Sequence, residues 1–276
     1  MVVLKAVRWR RVAVALAASA TALAAACAVS VDDFPVGTGE LGARCDDAAP
    51  CVLGLRCWGA GAAPRGPAGG LCTLDCRSDA DCPASGACTL VDGVARCLQK
   101  CAVGDGDGRK CQGRRDMGCG ILRREDGTSI QVCRPVCNAD ADCSGRFCDR
   151  RTGLCTDEAP TGAPAGAACT PPSSDATPDP CRGTCTELTA TTQICIEVCT
   201  LGALETCTDT GAAVDEVTCA DVANTSVTTG DVAVCTPECR CNEECPGALV
   251  CNLERNGTRY CGVPFVGLGL GVACSE

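Results

Sequence analysis

The sequence predicts a small disulfide-rich fold: tandem modules of short β-hairpins and irregular loops, elongated, with little helix apart from an N-terminal signal segment. Three observations predict it. Cysteine supplies 31 of the 276 residues while histidine is absent, a density that marks disulfide scaffolds. Beyond the N-terminal segment the only aromatic side chains are Phe34, Trp58, Phe147, Tyr260 and Phe265. The cysteines also recur in one spacing. Ordering costs roughly 1.5 kcal/mol per residue, so a unit of about 55 residues must offset roughly 80 kcal/mol. So few large side chains do not supply that by burial, whereas each disulfide closing a loop of about 15 residues adds roughly 3 kcal/mol. The cysteines are therefore expected to form the core, and they place the chain in an oxidising compartment.

Taken in order, residues 1–11 (MVVLKAVRWRR) are basic and residues 12–26 (VAVALAASATALAAA) are apolar. A helix of 15 residues is about 22 Å long, short of the roughly 30 Å hydrocarbon core. Residues 1–26 therefore read as a signal peptide. They end at Leu23-Ala24-Ala25-Ala26-Cys27, which resembles a bacterial lipobox with Ala24 where leucine is commonest. That resemblance implies lipidation of Cys27, and Ala28 after it implies the outer membrane. Cleavage at Ala24–Ala26 without lipid is the alternative. Parity favours lipidation, because an odd cysteine in an exported chain needs an explanation and thirty remain to pair once Cys27 is set aside. Residues 27–44 are then the lipidated cysteine and a flexible tether, whose 17 residues after Cys27 reach at most about 55–60 Å.

The remaining cysteines fall into runs of eight. The first is Cys45, Cys51, Cys57, Cys72, Cys76, Cys82, Cys88 and Cys97; the second is Cys101, Cys111, Cys119, Cys133, Cys137, Cys143, Cys148 and Cys155. The third is Cys199, Cys207, Cys219, Cys235, Cys239, Cys245, Cys251 and Cys261. In each run the spacing Cys-x3-Cys-x5-Cys-x4/5-Cys is constant while the flanking gaps vary, which predicts a disulfide knot with variable loops. Cys169, Cys181, Cys185 and Cys195 read as half a unit, and Cys241 and Cys274 as a further pair. All thirty are expected in structural disulfides, although eight cysteines alone allow 105 connectivities. The domains follow as 45–155, a proline-rich linker at 156–168 acting as a hinge, and 169–276. Asp92-Gly93, Asp126-Gly127 and Asn256-Gly257 between short β-prone runs signal hairpins, with weaker signals at Arg151-Thr-Gly153 and Thr229-Gly230.

Candidate chemistry is sparse. Zinc and redox sites favour Cys-x2-Cys pairs, and the chain has none. Nucleophilic catalysis with histidine is excluded, and no G-x-S-x-G elbow occurs. Asp79 and Asp81, repeated as Asp140 and Asp142, place carboxylates at alternate positions and are candidate calcium ligands; the alternative is a turn whose Asx side chains cap backbone amides. The net charge is −10 overall and −14 from Cys27 onward, with no basic patch, so nucleic acid is not an expected partner. No cofactor is expected.

The block C-x3-C-[RN]-x-D-A-D-C-x4/5-C over 42–155, and its spacing over 195–261, resembles EGF-like and Dickkopf N-terminal cysteine-rich modules. With the lipobox and an Ala/Gly/Arg/Val-rich composition, the chain resembles a cysteine-rich repeat lipoprotein of a GC-rich Gram-negative bacterium. The resemblance implies a non-enzymatic, surface-anchored binding or adhesion protein, held by lipid in a membrane and facing a protein or surface ligand. The competing readings are a protease inhibitor or toxin-like protein, presenting arginines in Gln112–Gly118 and Leu122–Gly127, and a passive envelope spacer.

Overall fold

The computed structural model describes residues 39–59, 65–105, 110–124, 126–173, 178–203, 207, 217–222, 227–253 and 259–264, which all belong to one compact unit, Gly37–Glu276. The signal segment, Cys27, Cys274 and the Asn256-Gly257 turn lie outside the described residues.

Fourteen disulfides join the described cysteines, and one rule generates them seven times. With Cys241 set aside, in each consecutive set of four the first cysteine bonds the third and the second bonds the fourth. Module 1 has Cys45–Cys57 and Cys51–Cys72, and module 2 has Cys76–Cys88 and Cys82–Cys97. Module 3 has Cys101–Cys119 and Cys111–Cys133, and module 4 has Cys137–Cys148 and Cys143–Cys155. Module 5 has Cys169–Cys185 and Cys181–Cys195, and module 6 has Cys199–Cys219 and Cys207–Cys235. Module 7 has Cys239–Cys251 and Cys245–Cys261. Cys241 is disulfide-bonded as well. Each run of eight is thus two closed sets of four, and the supposed half unit is a complete module. The Cys-x3-Cys spacing is not inside a knot but joins one module to the next.

The strands explain the rule. In module 1, β1 (Arg56–Trp58) pairs with β3 (Leu71–Thr73), with Cys57 opposite Cys72; β2 (Arg65–Gly66) lies between them in sequence. Strands β4 (Gly86–Val91) and β5 (Val94–Gln99) set Cys88 opposite Cys97. Strands β6 (Met117–Arg123) and β7 (Ser129–Pro135) do the same for Cys119 and Cys133, and β8 (Phe147–Asp149) and β9 (Leu154–Thr156) for Cys148 and Cys155. Strands β10 (Thr184–Thr189) and β11 (Thr192–Thr200) align Cys185 with Cys195. Strands β12 (Val217–Ala220) and β13 (Val232–Pro237) align Cys219 with Cys235, and β14 (Val250–Leu253) and β15 (Arg259–Gly262) align Cys251 with Cys261. In every module the last two cysteines face each other across an antiparallel hairpin. The first two reach in from the preceding loop, and each staples one strand.

Two local signals build these hairpins. Asp92 and Gly93 both take positive φ, 51° and 74°, between paired Val91 and Val94, as a two-residue type I′ turn requires. Gly127, φ 81°, closes the β6–β7 turn, with its N–H donating to Arg124 O at 3.0 Å. The leading segment of a module then lies along its fourth-cysteine strand. The first cysteine's N–H donates to the carbonyl two residues before the fourth: Cys76 to Ala95, Cys101 to Gln131, Cys137 to Gly153, Cys169 to Gln193 and Cys239 to Arg259. The constant x3 gap follows. Residues four apart on a strand share a face about 13 Å apart, so one extended strand can end one module and begin the next. Strand β11 does so, pairing with β10 around Cys195 and with β13 around Cys199.

The two halves of the sequence are not separate, since residues of one bridge residues of the other. Cys119 of β6 forms a parallel bridge with Asp231, its N–H donating to Gly230 O at 2.9 Å. Gly118 and Gly120 permit this approach, since a Cβ there would come within 2.7 and 3.0 Å of Val232 Cγ2. The 156–168 segment is not a free hinge either. Ala165 is fully buried, Gly166 N donates to Cys195 O at 2.9 Å, and Cys195 N donates to Ala167 O at 2.8 Å. At the start of module 1 Gly42 N donates to Cys72 O and Cys72 N donates to Ala43 O, both at 2.9 Å, so the repeated Gly-x-x-Cys is a leader segment whose amides need partners. The core is also not cysteine alone. Trp58, Leu71, Ala87, Val91, Leu98, Met117, Val132 and Leu154 form one cluster across modules 1–4 with Cys111, Cys119 and Cys133.

Candidate functional site

The Asp-Ala-Asp turns are built as backbone caps. In module 2, Asp79 Oδ1 accepts the N–H of Cys88 at 2.8 Å, while Asp81 Oδ2 accepts those of Arg77 and Ser78 at 2.7 and 3.0 Å. Module 4 repeats this, with Asp140 Oδ1 accepting Cys148 N at 2.8 Å and Asp142 Oδ2 accepting Asn138 and Ala139 at 2.8 and 3.2 Å. Module 7 substitutes Asn242, which accepts Cys251 N, and Glu244, which accepts Arg240 N. In module 5, Asp179 accepts the N–H of Cys185. One side chain thus docks the third-cysteine strand and the next seals the start of the turn. Asp79 Oδ1, Asp81 Oδ2, Asp140 Oδ1 and Asp142 Oδ2 thus accept backbone amides at two ends of the turn, as the capping alternative to calcium requires, and Asp79 Oδ2 takes Arg124.

Beside the first of these turns lies a cleft of about 400 Å³, lined by Arg77, Asp79, Leu90, Ala95, Arg124 and Asp126 among others. Its wall is shared between module 2 and the tip of the β6–β7 hairpin, locked by Arg124 Nη2 to Asp79 Oδ2 at 2.7 Å. Asp126 accepts both N–H and Oγ1–H of Thr128. Arg77 makes no ion pair among the described residues, so the cleft offers one uncommitted guanidinium beside a small apolar floor of Leu90 and Ala95. That arrangement suits a polar ligand carrying a negative group.

The arginines expected to face a protease are divided. Arg114 is buried: its guanidinium takes Asp116 bidentately, Nε to Oδ1 at 3.1 Å and Nη2 to Oδ2 at 2.6 Å, and also donates to Gly42 O and Gly70 O. It ties module 3 to module 1. Arg124 is held by Asp79, while Arg115 and Arg123 are exposed.

Sequence reasoning missed the buried polar contacts between the halves. Lys110 Nζ donates to Asp231 Oδ1 at 2.8 Å, with side chains 4% and 0% exposed. Gly104 N and Thr228 N occupy Asp231 Oδ2. Asn138 bridges Arg115 O and Thr200 N. Arg151 donates to the carbonyls of Gly183 and Cys181. Arg150, fully covered, sets Nε 3.4 Å from Glu197 Oε2. The available signal was a chain poor in aromatic side chains yet 21% charged, which does not say which charges meet.

These carboxyls set an acid response. Asp79 is held below its ordinary value by the Cys88 amide and Arg124, Asp81 by the amides of Arg77 and Ser78, and Asp126 by Thr128. Burial works to raise Asp116, but Arg114 and Arg44 more than offset it, and it too lies low. A lowered folded-state value contributes stability above the unfolded value and loses it as pH falls through the folded one. Burial pushes Glu197 up against the pull of Arg150 and Arg182, so its contribution has the opposite sign, present in acid and lost as pH rises through its folded value. Below its unfolded value Glu197 changes little, so the lowered carboxyls act alone there, with buried Asp116 the main contributor and the exposed ones screened by water. The melting temperature is expected to fall between about pH 4 and pH 2; calorimetry across that range checks it, and a melting temperature rising into acid would contradict it.

The chain matches no protein-family model, no curated protein and no solved structure.

Proposed function

We propose that the chain is a non-enzymatic binding or adhesion protein of the cell envelope, lipidated at Cys27 and displayed at the outer surface of a Gram-negative bacterium. The observation that carries this reading is the contrast between a constant frame and variable hairpins. Seven modules share one pairing rule and one cross-strand register, while the segment between third and fourth cysteines ranges from 6 residues in module 4 to 15 in module 6. A scaffold that holds its frame and varies its projections suits recognition, as loops on rigid supports do. The cleft at Arg77 and Arg124 is the contact point such a protein would offer a surface ligand. The resemblance to EGF-like modules belongs to the same reading. Many disulfides also favour an exported location, and among the described residues no helix is long and apolar enough to cross a membrane.

Against the inhibitor reading, Arg114 and Arg124 are held in ion pairs and Arg123 sits paired with Ser129 in a regular hairpin. Two experiments test the proposal. Wild-type protein is expected in the membrane fraction with a fatty-acyl label that Cys27→Ser abolishes; release of unlabelled wild type into the medium would overturn the anchor. Envelope or target-cell material captured by the wild type is expected to be lost from the Arg77→Ala/Arg124→Ala double variant. Equal capture by the double variant would remove the cleft from the reading, and no capture by the wild type would favour a passive spacer.

A further inference from the structure

We propose that module 1 is a thiol-exchange site, entered at Cys57 and taking a low-molecular-weight thiol or the active cysteine of a thiol oxidoreductase. Exchange needs a thiolate to reach a bridge sulfur, so access selects the bridge that reacts. Cys57 is the one exposed disulfide cysteine among the described residues; its partner Cys45 is 5% exposed, and Cys72, Cys97, Cys119, Cys137 and Cys143 are at 0–1%. The approach is open on the side of the 51–55 loop. There Val52 is 46% exposed and Leu53 fully so, which adds an apolar foothold for a protein thiol beside the reactive bridge.

The sulfurs are also placed for a relay. The Sγ atoms of Cys45, Cys51 and Cys57 lie within 4.8 Å of one another, and Cys57 faces Cys72 across the β1–β3 pair. An incoming thiolate attacks Cys57 Sγ, forming a mixed disulfide, and the electron pair of the broken bond leaves on Cys45. The Cys45 thiolate attacks Cys51 Sγ, forming Cys45–Cys51 and expelling the Cys72 thiolate. Cys72 then attacks Cys57 Sγ, forming Cys57–Cys72 and returning the original thiolate. No electrons are gained or lost and the thiol is regenerated, so module 1 exchanges its 1–3, 2–4 pairing for 1–2, 3–4. Cross-strand neighbours lie about 4.5–5.5 Å apart at Cα, a separation a disulfide spans.

The test treats the native, full-length protein with increasing reduced glutathione, quenches with N-ethylmaleimide and maps peptides without reduction. Glutathione on Cys57 with maleimide on Cys45, or the isomer pair Cys45–Cys51 and Cys57–Cys72, is expected at least about tenfold ahead of any change in modules 2–7, because access sets the rate. A Cys45→Ser/Cys57→Ser variant is expected to lose this early reaction while its other modules map as in the wild type. First reaction in another module, uniform reaction across modules, or no reaction short of denaturant would overturn the proposal.

Discussion

Replacing Asp231 with alanine is expected to destabilise the protein by about 3–5 kcal/mol, the cost of removing one partner from a buried ion pair. Asp231 is fully buried and serves four donors: Lys110 Nζ, Gly104 N, Thr228 N and Thr228 Oγ1. Without the carboxylate, Lys110 keeps its charge with 4% of its side chain exposed, and two amides lose their acceptor. Two of the four donor contacts, from Lys110 and Gly104, cross from module 3 to module 6, so much of the loss falls on the seam between the halves. For a domain of this size 1 kcal/mol corresponds to about 2–4 °C, so the melting temperature should drop by roughly 6–20 °C. A drop under about 2 °C by calorimetry would show that the seam does not contribute as the geometry requires. Asp231→Asn, which keeps an acceptor oxygen, is expected to fall between the two.

The second large effect is expected from removing the Cys111–Cys133 bridge with paired alanines. The bridge spans 22 residues, and constraining a loop of that length in the unfolded chain is worth about 3 kcal/mol. Its sulfurs also belong to the cluster formed by Trp58, Leu71, Val132 and Leu154, where Cys111 and Cys133 are 5% and 1% exposed, so the deletion opens space in the core as well. Because the β6–β7 hairpin carries the cleft residue Arg124 in its turn and the Gly118–Gly120 contact with Val232 on β6, the loosening should reach the cleft and the other half together. Urea unfolding checks the magnitude. A midpoint shift equal to that for the same deletion of Cys45–Cys57, whose spacing is 12, would show that loop length and burial do not set the cost.

Cysteine bonding and the hairpins were legible in the sequence because both depend on residues close together. The Asp92-Gly93 turn follows from two residues that tolerate positive φ, and the Asp-Ala-Asp capping alternative follows from short side chains beside their own amides. The pairing was not legible: the eye groups cysteines by the most regular spacing, and the most regular spacing here is the junction between modules. Cys133-x3-Cys137 reads as the opening of a knot within one eight-cysteine unit, whereas Cys133 ends module 3 and Cys137 begins module 4. The cleft was hidden for a related reason, since Asp79 and Arg124 are 45 residues apart and nothing local marks them as partners.

By itself the sequence determined a disulfide-held set of short hairpins, since in a chain with 31 cysteines and almost no aromatics bridges must supply much of what offsets the entropy of ordering. Only the tertiary structure decided that the working unit has four cysteines, that 163–168 is bonded to module 5 as its leader segment, and that Lys110 meets Asp231 and Arg150 meets Glu197 across the two halves. The physical reason is range. Turn chemistry and strand alternation act over a few residues, whereas bond partners and buried charges are chosen by which strands come to lie side by side.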